Sequence, residues 1–344
     1  MALPTDLECR PAQGGKPVVV LLHGAEGDAG HMTNPAATPF NHDYAAPFPP
    51  DRDEGWHTYP GIGVWSFELD PPKDVTGWRD FLSARGYGTV TYTQVDPSGL
   101  LAQPVDELAE VVGDVMQWAR GASLVLLGHS RGGLLVRKFL KDHQGALTSR
   151  IVKVITLHSP HQGSRLANVG SDLNTEIEKL KAALGSGGQQ VVQDALGWLI
   201  SIVNKPAWGE LAEGSNFLQD LEQGETALTG VEYYTFGGTS VLFSRVLAWV
   251  YTLDSLVPQW RWPPFHHTIT MVEVPVVSPV ANSLPDLTPE ITEGQGDILV
   301  ADDNSDLPFA VHRANSLNHA EALWDRGLQL QVLALLDGEK GIWT

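Results

Sequence analysis

The sequence predicts an α/β protein with a mostly parallel central sheet and helices on both faces. Three apolar runs, Val18–Leu22, Leu124–Leu127 and Ile151–Leu157, predict strands. A run that is apolar throughout is typical of a strand buried on both faces, as in a parallel sheet. Two segments with helical spacing, Val105–Ala119 and Leu134–Leu140, follow in alternation with the strands. This alternation favours a parallel α/β sheet over separate layers of strands and helices.

Residues 1–344 are predicted to form one domain, in which the other segments are insertions. At roughly 150 residues per domain, the length of 344 residues would allow two domains. This average does not decide the number, because single α/β domains with insertions often have this length. Three irregular segments account for the excess length: a proline-rich loop insertion at 26–77, a segment with amphipathic helical patterns at 164–230, and a further insertion at 240–293. We expect the helices of 164–230 to form a cap or lid, or to pack on the sheet. Thr89–Thr93 alternates weakly and predicts one more strand.

The composition describes a folded, acidic chain and excludes several classes of function. Apolar residues make up 42% of the sequence, and 22 basic against 41 acidic residues give a net charge of −19. A chain this acidic repels phosphate backbones, so we expect no nucleic-acid partner. The single cysteine, Cys9, excludes an intramolecular disulfide and a multi-cysteine metal site.

No targeting or membrane segment is visible in the sequence. The first residues lack the basic and apolar regions of a signal peptide, which leaves a cytoplasmic protein and a secreted mature form both open. No apolar run reaches the roughly 18 residues that a membrane span needs, so we expect none.

The segment Leu124–Gly133 carries the strongest chemical signal. It contains the motif G-H-S-R-G, centred on Ser130, directly between a predicted strand and a predicted helix. In that context a G-x-S-x-G serine sits on a sharp, strained turn that exposes its hydroxyl, and the two glycines let the helix pack close to the strand. We therefore predict that Ser130 is a nucleophile.

A serine nucleophile needs a base and an acid that orients the base, in the chain order Ser, Asp or Glu, His. His319, in a polar loop before the helical run Ala320–Leu336, is the predicted base, and His312 is the alternative. Asp297 follows a Gly-Gln-Gly turn 22 residues before His319 and is the predicted acid. Asp254 precedes a similar Leu-Val pair and stays open as the alternative acid.

Two backbone N–H groups are predicted to form an oxyanion hole. Ala25 follows the first strand at the sheet edge where Ser130 is expected, and Arg131 comes directly after the nucleophile. In this arrangement both N–H groups point at the oxygen that becomes negatively charged during acyl transfer.

Six short segments spread over the predicted core carry a resemblance to known proteins. They are Val18–Gly24, Leu127–Gly133, Thr156–Ser164, Val231–Thr239, Gly296–Val300 and Leu317–Glu321. Together they resemble the bacterial triacylglycerol lipases of the α/β-hydrolase fold. The resemblance implies this fold, with Asp297 in the acid loop and His319 in the base loop, whereas residues 26–77 and 240–293 have no clear counterpart.

The chain departs from that family at three positions. His158 stands where the family usually has glycine, Arg131 stands where glutamine is common, and no glycine follows Asp297. The first two departures are expected to alter the rim of the pocket.

The resemblance also implies a calcium ion near the base loop, because these lipases use a carboxylate two residues after the histidine. Glu321 occupies that position, Asp325 follows one helical turn later, and Asp286 could supply a further carboxylate. A hard cation takes several oxygen ligands. The alternative is that Glu321 and Asp325 are solvated helix carboxylates, and no cofactor is required for the predicted reaction.

These signals predict a serine carboxylic-ester hydrolase, a lipase or esterase, that forms an acyl-enzyme intermediate. Its substrate would be a small-molecule, lipid or polymeric ester, with at most transient contact with a lipid interface. An acyltransferase that uses the same acyl-enzyme, or a non-catalytic binding protein of the same fold, is the alternative.

Overall fold

A computed structural model describes residues 6–35, 75–169, 205–241 and 289–339, together with Pro4 and the backbone of six strands between these ranges. The strands are β1 (Glu8–Arg10), β2 (Val18–Leu22), β3 (Tyr44–Ala45), β4 (His57–Tyr59), β5 (Ile62–Val64), β6 (Glu68–Leu69), β7 (Gly88–Thr91), β8 (Leu124–His129), β9 (Ile151–Leu157), β10 (Glu232–Gly238), β11 (Val246–Leu253), β12 (His267–Glu273) and β13 (Val311–Asn315).

A seven-stranded sheet of order β1-β7-β2-β8-β9-β10-β13 forms the centre of the described structure. Every neighbouring pair is parallel except β1 and β7, which are antiparallel. The predicted strands Val18–Leu22 and Ile151–Leu157 have the predicted bounds, and the strand predicted at Leu124 continues to His129. The strand predicted at Thr89–Thr93 lies slightly earlier, at Gly88–Thr91. The fold class is confirmed.

Helices cover both faces of this sheet. The described α-helices are α1 (Ala29–Thr33), α2 (Trp78–Ser83), α3 (Ala102–Trp118), α4 (Arg131–Asp142), α5 (Arg165–Val169), α6 (Pro206–Leu211), α7 (Asn216–Glu222) and α8 (Arg326–Leu336). Alternate residues of β2 enter opposite cores: Val18, Val20 and Leu22 pack with α3 and α4, whereas Val19 and Leu21 pack with α2 and α8.

The helical run predicted at Ala320–Leu336 is wrong in its first turns. Glu321–Leu323 forms a single 3₁₀ turn, and the α-helix begins only at Arg326. The cause is Asp325, whose extended backbone breaks the run and whose side chain caps α8 by accepting a hydrogen bond from the N–H of Leu328 at 2.7 Å.

Two of the predicted insertions contribute strands to one further sheet. Its order is β12-β11-β3-β6, so the parallel pair β3 and β11 joins segment 26–77 to segment 240–293. Within 164–230 the structure describes α5, α6 and α7, and buries Leu218 and Leu221 of α7 in the same core as α4. The part of the predicted amphipathic helical patterns at 170–204 lies outside the described residues. Of the helices described, none combines the length and the apolar character that a bilayer span requires.

Candidate active site

Ser130 lies on a strained turn between β8 and α4. Its backbone has φ 55° and ψ −129°, a conformation that costs a non-glycine residue about 1–3 kcal/mol. Two hydrogen bonds hold the turn: the N–H of Ser130 donates to the carbonyl of Leu157 at 2.9 Å, and the N–H of Gly133 donates to the carbonyl of Ser130 at 3.0 Å. A Cβ on Gly128 would lie 2.6 Å from the carbonyl carbon of Gly132, so this close approach of helix to strand requires glycine.

Asp297 and His319 are in direct contact inside the protein. The Nδ1 of His319 donates to Oδ2 of Asp297 at 2.8 Å, and the backbone N–H of His319 donates to the carbonyl of Asp297 at 3.0 Å. Oδ1 of Asp297 accepts the N–H groups of Leu299 at 3.0 Å and Val300 at 2.8 Å. Both side chains are buried. The sequence-predicted acid and base are therefore brought together.

The charge on Asp297 decides which nitrogen of His319 can act as a base. Burial by itself raises the pKa of this carboxyl, but the nearby His319 and the hydrogen bonds that the carboxylate accepts hold its pKa below the usual range. An ionised carboxylate only accepts hydrogen bonds, so Nδ1 of His319 carries the proton. Nε2 is left free to accept a proton.

His129 connects the turn of Ser130 to the loop that carries His319. It precedes Ser130 in the chain, its Nε2 donates to the backbone carbonyl of His319 at 2.9 Å, and the two imidazole rings are 4.9 Å apart. Burial, together with the neighbouring His319, lowers the pKa of His129 well below its ordinary value. His129 is therefore neutral and serves as a fixed link between the serine turn and the base loop.

The two predicted oxyanion donors lie on the two segments that meet at Ser130. Within the described residues, neither the N–H of Ala25 nor that of Arg131 has a hydrogen-bond acceptor, and the first N–H groups of a helix have no partner inside the helix. A Cβ on Gly24 would lie 2.8 Å from the Cβ of Ser130, so the loop that carries Ala25 runs directly against the serine.

The side chain of Arg131 braces this loop, a role that the sequence did not predict. The guanidinium is fully buried and donates to Oε1 of Gln94 at 3.1 Å, to the carbonyl of Pro97 at 3.2 Å and to the carbonyl of Gly99. The carbonyl of Pro97 also accepts the N–H of Glu26 at 3.2 Å. Burial lowers the pKa of Arg131 to about 10, which leaves the side chain charged at neutral pH.

Gln94 connects Arg131 to His23, the residue before Gly24-Ala25. Its Nε2 donates to the carbonyl of His23 at 2.8 Å, and its backbone N–H donates to Nε2 of His23 at 3.0 Å. Nδ1 of His23 donates to the carbonyl of Gly24 at 2.9 Å. Burial lowers the pKa of His23 to about 4, so this imidazole is neutral at neutral pH. The residues before and after Gly24-Ala25 are thus both tied to Arg131.

His158 is a second histidine on the acid. Its Nδ1 lies 2.9 Å from Oδ2 of Asp297, the oxygen that also accepts from His319. The residue is fully buried and has φ 51°. The sequence offered one signal for it, the histidine in a position where the lipases usually have glycine, but this was interpreted as a change to the pocket rim. The structure places it against the acid instead.

The missing glycine after Asp297 is also visible in the backbone. Ile298 adopts φ 93°, which is a rare conformation for a β-branched residue. Its N–H donates to the carbonyl of Glu290 at 2.8 Å, and its side chain is buried. In the chain, Asp297 therefore lies directly between Gly296, which forms a β-bridge with Ala301, and the strained residue Ile298.

Of the alternative site residues, the structure describes only His312, which lies elsewhere. His312 lies on β13 with Nε2 3.2 Å from Oδ1 of Asp302 and Nδ1 2.9 Å from Oγ1 of Thr235, so it is not the histidine at Asp297. Asp254, the alternative acid, and Asp286, a predicted metal ligand, lie outside the described residues.

The two other predicted metal ligands have local hydrogen-bond partners. Oε2 of Glu321 accepts the N–H of Asn318 at 2.9 Å, and Asp325 caps α8. A calcium ion here stays a prediction. Elsewhere in the described part of the chain, the one cluster with three ligand atoms close together is His158, Asp297 and His319. Those atoms already pair with one another by hydrogen bonds, which accounts for the cluster without a metal.

Comparison with known proteins identifies the fold. No protein-family model matches the sequence, and no curated protein matches it. The mature lipase BlEst2 of Bacillus licheniformis has a similar structure, with a TM-score of 0.56 and 17% identity over 97% of this chain and 99% of that chain. The propeptide form of the same lipase matches with a TM-score of 0.54 and 17% identity, over 97% of this chain and 54% of that chain. This similarity shows that the chain has the predicted α/β-hydrolase fold.

Proposed function

We propose that this protein is a serine carboxylic-ester hydrolase in which Ser130, His319 and Asp297 form a catalytic triad. One observation carries the proposal: a buried, hydrogen-bonded Asp297–His319 pair is attached through His129 to the strained turn that presents Ser130. Acid, base and nucleophile then occur in the chain order of this fold, and the ionised Asp297 accepts the Nδ1–H of His319 so that Nε2 can take a proton.

The first half of the reaction acylates the serine. Oγ of Ser130 attacks the ester carbonyl carbon while Nε2 of His319 takes the hydroxyl proton, and Asp297 stabilises the imidazolium that forms. The carbonyl oxygen becomes an oxyanion that accepts hydrogen bonds from the N–H groups of Ala25 and Arg131. One such donor contributes about 10²–10³ in rate. The intermediate then collapses, and the alcohol leaves with the proton from His319.

The second half releases the acid. Water attacks the acyl-enzyme, and its proton passes to Nε2 of His319. The bond from the acyl carbon to Oγ of Ser130 then breaks, and the serine regains its proton. No metal or organic cofactor takes part in these steps.

Replacing the nucleophile tests the proposal. We expect Ser130→Ala to lower turnover of a chromogenic ester by several orders of magnitude, because removal of a triad serine costs about 10⁶ in kcat. Ser149→Ala, at an exposed serine that binds only the carbonyl of Ala146, is the matched control and should keep its activity. A fluorophosphonate probe should label the parent and the control but not Ser130→Ala. Near-normal turnover by Ser130→Ala would disprove the assignment.

The same assay identifies the ester and the acceptor. A series of acyl chain lengths, with and without an emulsified interface, separates a lipase from an ordinary esterase. A jump in activity at the interface would indicate a mobile lid. With added alcohol, we expect the free acid to remain the main product. A transfer product in excess would instead identify an acyltransferase.

A further inference from the structure

We propose that His158 is a positioning residue of the reaction, which acts through Asp297 as a second donor to the oxygen that orients His319. The proposal deepens the proposed function and rests on the Ser130–His319–Asp297 assignment. It concerns a residue that does not touch the substrate, and it adds a second imidazole to the usual three-residue arrangement.

Four donors hold the carboxylate of Asp297. The backbone N–H groups of Leu299 and Val300 bind Oδ1, and the imidazoles of His158 and His319 bind Oδ2 at 2.9 and 2.8 Å. The two backbone donors are adjacent in the chain and lie on one side of the carboxylate. Among the described residues, the donors to Oδ2 are His319 itself and His158. His158 therefore keeps Oδ2 from turning away from His319.

The protonation of His158 follows from its surroundings. Nδ1 faces an ionised carboxylate, so Nδ1 carries the proton and donates it. Nε2 is buried with no partner among the described residues. A hydrogen at Nε2 would be a buried donor with no acceptor, which is costly. The tautomer that carries its hydrogen on Nδ1 therefore fits this site.

The backbone fixes His158 in this position. Its N–H donates to the carbonyl of Phe236 on β10 at 2.7 Å, directly after the last residue of β9. A Cβ on Gly238 would overlap the His158 ring, so the ring fills the space that glycine leaves on β10. The left-handed backbone at φ 51° aims the side chain at the acid. A flexible side chain would not hold a donor this close.

Imidazole proton resonances test the contact without reference to turnover. In protein labelled with ¹⁵N-histidine, Nδ1–H protons donated to a carboxylate resonate far downfield because these hydrogen bonds are charge-assisted and strong. We expect two such signals, from His158 and His319. His158→Gly should lose one and shift the other, whereas the matched variant of a buried histidine, His161→Asn, should keep both.

Kinetics test the effect on the reaction. His158→Gly should lower kcat about 10-fold, the lower end of the loss when a partner that orients a functional side chain is removed, with KM unchanged. His158→Asn should recover most of this loss. The Nδ2 of asparagine is as many bonds from Cβ as Nδ1 of histidine, and asparagine tolerates positive φ. Loss of one downfield signal in His158→Asn also assigns that signal if His158→Gly fails to fold.

Two results would overturn the proposal. One is a single downfield carboxylate-bonded signal in the parent protein. The other is a folded His158→Gly variant whose remaining signal and kcat match those of the parent. A failure of the proposed function itself looks different, because the Ser130→Ala variant would then stay active while the two imidazole signals persisted.

Discussion

Ser130 stands at the end of β8, a strand buried along its whole length, whereas Asp297 stands in a loop that precedes the edge strand β13. We call the part built on β2, β8, β9 and α4 the nucleophile half, and the part built on β10, β13 and residues 289–325 the acid–base half. In the nucleophile half, main-chain hydrogen bonds and close helix packing hold the reacting residue. In the acid–base half, two backbone N–H groups of its own loop hold one oxygen of Asp297, and the side chains of His158 and His319, which come from other parts of the chain, hold the other oxygen.

Backbone strain occurs in both halves. In the nucleophile half, Ser130 and Glu26, which lies in the loop after β2, adopt positive φ, and Gly128 and Gly132 let the helix approach the strands closely. Around the acid, two residues that are not glycine, His158 and Ile298, adopt positive φ. Such conformations persist only where the surrounding structure over-determines them. In both halves, the surrounding contacts therefore hold strained residues in place.

After loss of the serine itself, neutralising the acid gives the largest expected effect. Asp297→Asn should lower kcat about 10⁴-fold, because the amide favours the wrong tautomer of His319. It should also lower the thermal unfolding midpoint, because four donors hold the buried carboxylate that the amide replaces. Measuring kcat and thermal unfolding on the same preparation separates the two effects.

Asp254→Asn is the matched control for this substitution. It should keep normal turnover if Asp297 is the acid. Loss of turnover confined to Asp254→Asn would reverse the assignment and place the acid outside the acid–base half.

The ion pair of Arg137 joins the halves and should matter for stability alone. Arg137 on α4 binds Glu225, which lies just before β10, with Nε–Oε1 at 3.0 Å and Nη2–Oε2 at 2.5 Å, and it also donates to the carbonyl of His161 at 2.7 Å. Both side chains are largely buried. Arg137→Ala leaves Glu225 buried and unpaired, so the free energy of unfolding should fall by about 3–5 kcal/mol in urea denaturation.

Lys138 supplies the control for that prediction. It lies on the same helix and pairs with Asp142 at 2.9 Å near the surface, where such pairs contribute about 0–1 kcal/mol. Lys138→Ala should therefore change the unfolding free energy little. Arg137→Ala could instead lower kcat in the folded protein and leave the unfolding free energy unchanged. The ion pair of Arg137 and Glu225 would then support the active site and not the stability of the fold.

The nucleophile half could be predicted from the sequence because its signals are local. The apolar runs of β2, β8 and β9, and the glycines around Ser130, each specify structure within a few residues. The edge strands β1 and β13 were missed because their sequences, ECR and VHRAN, are polar, and an edge strand needs no apolar run. In the acid–base half, chain order and resemblance predicted Asp297 and His319 as partners, and the structure shows the contact between their side chains.

The supporting residues of the site could not be predicted, because they depend on contacts across the sheet. Nothing in the local sequence shows that His158, at the end of β9, faces an acid 139 residues later in the chain. Nor does the sequence show that Arg131 turns inward to the carbonyls of Pro97 and Gly99. Departures from a family pattern indicated both positions but not what they contact.

Lowering the pH should reduce the unfolding free energy through the two halves in different pH ranges. This is the smallest of the expected effects. His23 in the nucleophile half has a pKa of about 4 in the folded protein against 6.5 as its ordinary value. The unfolded chain therefore binds a proton that the folded chain does not, and stability falls between pH 6.5 and 4, by about 3 kcal/mol for this group. Asp297, with a pKa below 3.8, contributes stability that is lost only below that pH. Unfolding free energies measured from pH 7 to 3 should fall less steeply above pH 4 in His23→Gln, which can still accept the N–H of Gln94. Equal slopes in the two proteins would contradict a neutral, buried His23.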